Sequence, residues 1–314
     1  PISVAATGTA IYFGQPSQDA DAHIIENLYG EDTLQDGFSV RAYNADNSPL
    51  LAFDTDYRHY RAQAVDVRQR VDDRLGRFLA LGGDFRVQAV TPEALDAIAA
   101  AHELTLVATG KQGLADLFAV DASRTVYRTP QRHLLTVNAV GLPYAPTTFD
   151  YRSRVGWKHN LFTAHATQGA IFTGPLQHKD VGHSWVLLGF ATPGGDWHRR
   201  FEQATDAASA LAIFQQLFRD YFPEDAAEID RLQVIASDPH SWSQGAVTPT
   251  VRQPVGQTRS GHLVAALGDT AISFDPIAGQ GAQNISIQVA ALVRAASARQ
   301  GAFDAAWITE QFDA

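Results

Sequence analysis

Late in the chain, the apolar run Leu263-Val264-Ala265-Ala266-Leu267 sits between Gly261 and Gly268, and Asp269 follows at once. A short continuous apolar run bounded by glycines predicts a strand covered on both faces. Asp269 then stands at the carboxyl end of that strand, where open α/β sheets place their ligands, and its carboxylate can accept a hydrogen bond from a sugar-like hydroxyl. A second string follows, Pro276-Ile277-Ala278-Gly279-Gln280-Gly281-Ala282-Gln283-Asn284, and opens a long apolar helix pattern. Gly279 and Gly281 let the backbone come close to a flat ring. The helix starting near Ala282 points unpaired N–H groups and a partial positive charge at whatever lies there. An ordinary strand-loop-helix connection, with Asp269 capping a turn, accounts for the glycines alone but poorly for the whole ordered string.

Bulk properties narrow the classes of function. Of 314 residues 45% are hydrophobic and 18% charged, enough apolar side chain for a sizeable core and too much for a disordered chain. A net charge of −10, with lysine only at Lys111, Lys158 and Lys179, argues against a phosphate-backbone partner. No apolar run approaches the roughly 18 to 20 residues of a membrane span, and no signal peptide is visible, so a cytoplasmic location is expected. The absence of cysteine excludes a disulfide scaffold and a Cys-ligated metal or iron–sulfur site. The histidines are scattered; the nearest pair, His178 and His183, has an i, i+5 spacing that does not place two ligands on one helix face, so no metal site is expected. No G-x-S-x-G string supports a hydrolase nucleophile. The Gly156-Trp157-Lys158 string lacks the second nearby Trp of a flavin halogenase.

The periodicities suggest two kinds of layer. Asp66 to Leu81 reads as an amphipathic helix with Val67, Val71, Leu75, Phe78 and Leu79 on the core face and its charges on the other. Gly82-Gly83 ends it, Phe85 to Val90 reads as a strand, Pro92 to Ala101 as a helix and Leu104 to Ala108 as a strand. This β-α-β-α-β alternation predicts a parallel sheet with crossover helices. From Arg132 to about Val255 the character changes to grouped strands, His133 to Val140, Gly169 to Thr173 and Ser184 to Phe190, with helices Ala207 to Tyr221 and Glu224 to Arg231. Grouped strands predict an antiparallel sheet forming a second layer or domain. Residues 1 to 60 show no sustained period.

Strand, acid, glycine turn and helix start, in that order, is how a flavin's ribityl chain and ring edge are commonly held. A reduced flavin carries negative charge along its N1 to C2-carbonyl edge, which a helix N-terminus complements. With this string, the stretch Ala108-Thr109-Gly110-Lys111 followed by Leu114 and Phe118, the Pro130-Gln131-Arg132 string, Ala64 to Arg68 ahead of Gly82-Gly83, and Gly245 to Pro249 all run in one order. In these features the chain resembles the oxygenase components of styrene and indole monooxygenases, over most of residues 60 to 295.

The resemblance implies an α/β fold: a Rossmann-like FAD-binding domain of the p-hydroxybenzoate hydroxylase type with an inserted, mainly antiparallel substrate domain. The implied division is 1–131 and 256–314 for the FAD-binding domain and 132–255 for substrate. It implies a two-component enzyme in which reduced FAD, delivered by a separate NADH-dependent flavin reductase, reacts with O₂ to a C4a-hydroperoxyflavin. That species epoxidises or hydroxylates an aromatic alkene or indole. The implied cofactor-binding residues are Thr109, Gly110, Asp269, Pro276, Gly279, Gln280, Gly281, Ala282 and Asn284, with Gln280 and Gly281 positioning the flavin and no acid–base dyad required. Phe172, Leu176 and Trp185 are substrate-pocket candidates from their strand positions, and a homodimer is compatible. Two other readings stay open: a single-component NAD(P)H-dependent aromatic hydroxylase, and a flavin-binding protein without oxygenase activity. The first flavin fingerprint, G-x-G-x-x-G, has only a poor counterpart in Ala6 to Ile11 with Gly14, so it is expected upstream of Pro1.

Overall fold

The structure is a computed structural model that describes residues 9–13, 34–57, 62–111 and 113–313. Ala6, Thr7, Gly8 and Gly14 of the weak glycine string lie outside the described residues. The first strands are β1 (Thr9–Phe13), β2 (Leu34–Gln35), β3 (Gly37–Tyr43), β4 (Pro49–Asp56) and β5 (Ala62–Asp66). Helices α1 (Val67–Ala80) and α2 (Pro92–Ala101) precede β6 (Leu106–Val107). Then come β7 (His133–Val140), β8 (His159–His165), β9 (Gly169–His178) and β10 (Gly182–Ala191). Helices α3 (Asp196–Phe201), α4 (Ala207–Tyr221) and α5 (Pro223–Ile229) follow. The chain continues through β11 (Gln233–Val234), β12 (Trp242–Ala246), β13 (Thr250–Val251), β14 (Val255–Gln257), β15 (Leu263–Ala266) and β16 (Ile272–Ser273). It ends with α6 (Gln280–Ala298) and α7 (Ala305–Asp313). The described residues fall into two compact units, one built from residues 9–13, 34–57, 62–83 and 131–246 and the other from 84–111, 113–130 and 247–313.

The first unit is a large sheet whose main path runs β11-β7-β10-β9-β8-β3-β4. Its strands pair antiparallel except at β3 with β8 and at the Val65–Gln177 contact of β5 with β9. Side chains alternate across such a sheet. In β10 and β9 the register Trp185–Pro175 and Leu187–Thr173 puts Trp185, Leu187 and Ile171 on one face. There they join Leu135 and Val137 of β7 and pack against Phe201, Phe214, Leu217 and Phe218 of α3 and α4. Helix α4 forms where the sequence predicts it. Asp206 and Ser209 close a reciprocal capping box at its start, and Ala207, Ala210, Leu211, Phe214, Leu217 and Phe218 give it a buried stripe at helical spacing. Gly189 is required beneath it, because a Cβ there would stand 2.4 Å from the Phe201 ring.

Several expectations are corrected. The stretch 34–66 is strand-rich: β3 and β4 form a hairpin, and β3 pairs in parallel with β8, which ties residues 37–56 to the sheet of 131–246 rather than to the later glycine-rich loops. The signal was weak because every residue of β4 is exposed, so no alternation of apolar and polar residues marks it. Phe85 to Val90 is extended but unpaired, with Phe85 and Val87 exposed at 52% and 91%; alternation alone does not make a strand without a hydrogen-bonded neighbour. The β-α-β-α-β parallel sheet is therefore absent here: β5 pairs antiparallel with β1 and β2, and β6, shortened to Leu106–Val107, pairs in parallel with β15 instead. Helix α1 begins at the predicted place but is turned over: Arg68 and Arg70 are buried, whereas Val71, Phe78 and Leu79 are exposed. A buried ion network at its first turn, described below, outweighs the apolar stripe.

The second unit has a small sheet in the order β14-β15-β6. One face packs Val107, Val264 and Ala266 against Leu95 and Ala99 of α2 and against Leu114 and Phe118. On the other face Ala265 meets Trp307 and Ile308 of α7 and Leu292 of α6. The run Leu263 to Leu267 is thus a strand covered on both sides, as its composition predicts.

Candidate functional site

Two parallel strands of the second unit, β6 and β15, end side by side, with Ala266 opposite Val107 and the Leu267 N–H donating to the Val107 carbonyl at 3.0 Å. Each runs into a glycine in the left-handed region, Gly110 at φ 74° and Gly268 at φ 60°. These glycines turn the chain sharply at the strand ends, a conformation closed to most side chains. The Thr270 hydroxyl donates to the Gly110 carbonyl at 3.0 Å and fastens the two loops together. The Gly268 N–H donates to Gln288 Oε1 of α6 at 3.1 Å, which fastens the second loop to the helix.

Asp269 lies in this second loop, half in solvent, with Lys111 Nζ at 3.8 Å from its Oδ2. Thr109 is exposed beside Gly110. The approach to α6 is a single 3₁₀ turn, Pro276–Ala278, capped by Asp275, whose carboxylate accepts the Ile277 N–H at 3.1 Å. Gly279 then adopts φ 62° as the residue before the helix, with no side chain to cap it and no acidic residue in the first turn. Among the described residues no side chain caps the start of α6, where a helix presents its first N–H groups. A Cβ on Gly281 would meet nothing within 4 Å except Asp269 Oδ1 at 3.8 Å, so the space in front of the helix start is open. Ala282 and Asn284 lie in the first turns, partly buried, and Gln280 is exposed. Gly110, Lys111, Asp269 and Gly281 thus come together around the open space before α6, a cleft of the second unit. Thr109 adjoins Gly110, Pro276 and Gly279 lie on the approach to α6, and Gln280, Ala282 and Asn284 lie in its first turns.

The substrate-pocket candidates do not share one surface. Trp185 is buried in the core under α4, its indole N–H donating to the Leu142 carbonyl at 3.3 Å. Phe172 and Leu176, opposite Leu188 and Ser184 in the register, point to the other face of the sheet. Thr136 and Asn160 occupy that second face as well, and both are buried.

The first unit holds a buried charge cluster. The Arg68 guanidinium lies between Asp66 and Asp238, 2.7 Å and 2.6 Å from their carboxylate oxygens. His178 Nε2 is 3.0 Å from the same Asp238 oxygen. His178, Asp180 and Asp238 bring ligand-type atoms within 4.8 Å of one another, the spacing of a metal site. The Asp180 backbone N–H donates to His178 Nδ1 at 3.1 Å, which leaves the proton of a neutral ring on Nε2, facing Asp238. That ring offers no free lone pair, and Arg68 already supplies the positive charge, so the cluster is a closed structural network. Burial pushes the imidazole of His178 down, against the opposing pull of Asp238 and Asp66. Burial pushes Asp238 up, but its bonds to Arg68 prevail and hold the carboxyl below the usual range.

Comparison with known proteins places this architecture. Residues 110–228, which carry β7 to β10 with α3 and α4, match the family described as "Styrene monooxygenase A putative substrate binding domain". Styrene monooxygenase StyA of Pseudomonas sp and that of Pseudomonas fluorescens are each 24% identical over 229 residues, 72% of this chain and 52% of theirs. Over these stretches the chain is similar to styrene monooxygenases. It spans about half the length of these curated relatives. Similar solved structures extend across the fold. The tetrameric form of 2-methyl-3-hydroxypyridine-5-carboxylic acid oxygenase aligns with TM-score 0.61 at 16% identity, over 97% of this chain and 76% of its own. Klebsiella pneumoniae HpxO, solved with FAD and uric acid, aligns with TM-score 0.59 at 13% identity, over 96% and 74%. P. aeruginosa PqsL, solved with 2-aminobenzoylacetate, aligns with TM-score 0.59 at 16% identity, over 100% and 83%. The fold is of the p-hydroxybenzoate hydroxylase type, with a large, mostly antiparallel sheet in a mixed α/β chain.

Proposed function

We propose that this chain carries the flavin cleft and substrate sheet of a two-component FAD-dependent monooxygenase, the oxygenase that receives reduced FAD from a separate NADH-dependent reductase. The observation that carries the reading is that Gly110, Lys111, Asp269 and the start of α6 come together in a chain similar to styrene monooxygenase StyA over 72% of its length. The residues present suit a flavin on two grounds of their own. Gly281 and Gly110 leave open space where a Cβ would otherwise intrude, and the helix start has donors but no acid in its first turn. A flavin, when bound, supplies the oxygen activation that side chains cannot.

The protein's part is binding, orientation and exclusion of water. Asp269 accepts hydrogen bonds from the ribityl hydroxyls. The N–H groups of Gly281 and Ala282 donate to the electron-rich ring edge, and the bare backbone of Thr109 and Gly110 permits close approach. Pro276, Gly279 and Gln280 form the wall along the ring, and Asn284 supports it from the next turn of α6. In the sheet, Phe172 and Leu176 offer apolar contact to an aromatic substrate, while Trp185 supports their strand from beneath. Styrene-type alkenes, indole and thioethers are the substrates to test, with epoxide, hydroxylated and sulfoxide products. Under air, the protein with FAD, NADH and an added flavin reductase is expected to give those products. Bleaching of the flavin by NADH without a reductase would replace this reading with a single-component hydroxylase. Peroxide as the sole product across all three substrates would replace it with a flavin carrier.

A further inference from the structure

We infer that Lys111 sets the preference of this cleft for the reduced over the oxidised flavin, a step that rests on the flavin reading above. Lysine is scarce in this chain, three in 314 residues, and the net charge is −10, so a lysine at the ligand cleft runs against the general field. The backbone that leads into it is anchored twice. The Thr270 hydroxyl holds the Gly110 carbonyl, and the β6–β15 pairing holds the strand that leads into the loop. Lys111 Nζ stands 3.8 Å from Asp269 Oδ2, with the two side chains 36% and 49% exposed. That separation is too long for a strong hydrogen bond, so the ammonium keeps donors for a ligand. No acidic side chain in the first turn of α6 competes for it.

The chemistry turns on a charge difference. The oxidised ring system is neutral; two electrons and one proton, supplied by an external reductant, convert it to a monoanion. The hydrogen bonds of Asp269 to sugar hydroxyls are the same in both states and favour neither, while its negative charge opposes the anionic form. A cation beside the cleft gains attraction only when the ring becomes anionic, and only such a differential interaction shifts the balance between the two forms. For a pair half exposed to solvent, the expected gain is about tenfold in relative affinity, equivalent to about 30 mV in a two-electron midpoint potential.

The test compares wild type with Lys111→Gln, Lys111→Arg and Asp269→Asn, after melting curves establish that each variant is folded. Dissociation constants for oxidised FAD and for dithionite-reduced FAD are measured anaerobically by fluorescence, and the bound midpoint potential by dye equilibration. In Lys111→Gln, binding of reduced FAD is expected to weaken about tenfold while that of oxidised FAD changes less than about twofold, with the potential falling by about 30 mV. Lys111→Arg keeps the charge and is expected to hold the ratio within about twofold of wild type. Asp269→Asn removes a hydroxyl acceptor and a negative charge together, and is expected to weaken oxidised FAD more than reduced FAD, the opposite sign to Lys111→Gln. Raising the salt concentration is expected to shrink the wild-type ratio toward that of Lys111→Gln. Equal weakening of both forms in Lys111→Gln, or no change in either, overturns the role of Lys111 and leaves the flavin reading intact. Failure of wild type to bind FAD in either state overturns the flavin reading and this inference with it.

Discussion

Among single residues, the strongest constraint is the placement of Arg68 between two buried carboxylates. Removing the guanidinium leaves Asp66 and Asp238 as uncompensated charges in a place that water does not reach. Arg68→Met is therefore expected to cost about 3 to 5 kcal/mol of stability, measured as a loss of unfolding free energy in urea. His178 adds a pH dependence. Its folded pKa is depressed below the ordinary histidine value, so the unfolded chain takes up the proton first and stability is lost as pH falls. Asp238, also depressed, acts in the same direction at lower pH, where its carboxylate is finally protonated. The melting temperature is expected to fall between about pH 7 and 5, with a shallower slope in His178→Gln than in wild type. At the cleft, the residue types Asp269, Gly279 and Gly281 were legible because each has a specific local reason to be there. Lys111's pairing with Asp269 joins residues 158 positions apart along the chain and was not legible, since it depends on the β6–β15 pairing.

Elements whose ends carry explicit chemistry match their predicted bounds closely. The bounds of helix α4 and of strand β7 are read from sequence without error, and the structure adds the Asp206–Ser209 box at the start of α4. Asp206→Ala is expected to cost about 1 kcal/mol, seen as a lower melting temperature. Gly279 holds the left-handed turn before α6. Gly279→Ala is expected to destabilise by about 1 to 2 kcal/mol and to loosen amide protection over the first turn of α6, measured by hydrogen exchange. Elements defined by their neighbours fared worse. The strand pattern of Phe85 to Val90 exists in the sequence and not in the fold, because pairing requires a partner backbone. Strand β4 exists in the fold and not in the pattern, because its side chains are all exposed and the hydrogen bonds to β3 alone define it.

In the molecule as a whole, the two units predict separate responses to ligand. Addition of FAD is expected to raise hydrogen-exchange protection over residues 106–111 and 268–285 of the second unit while leaving β9 and β10 of the first unchanged. An equal rise in both units would show that the cleft is not confined to the second. Among the described residues no helix is long and apolar enough to cross a membrane. The sequence by itself determined the α/β class, the covered strand at 263–266 and the glycine turn into α6. These are local features, set by backbone freedom at glycine, capping and the period of apolar residues. Tertiary structure alone decided that residues 37–56 join the central sheet and that α1 buries its arginines and exposes its apolar stripe. It also decided that Trp185 turns away from Phe172 and Leu176, and that Lys111 reaches Asp269. Each of these depends on strand register or on pairing between charges far apart in the chain, and neither leaves a trace in local periodicity.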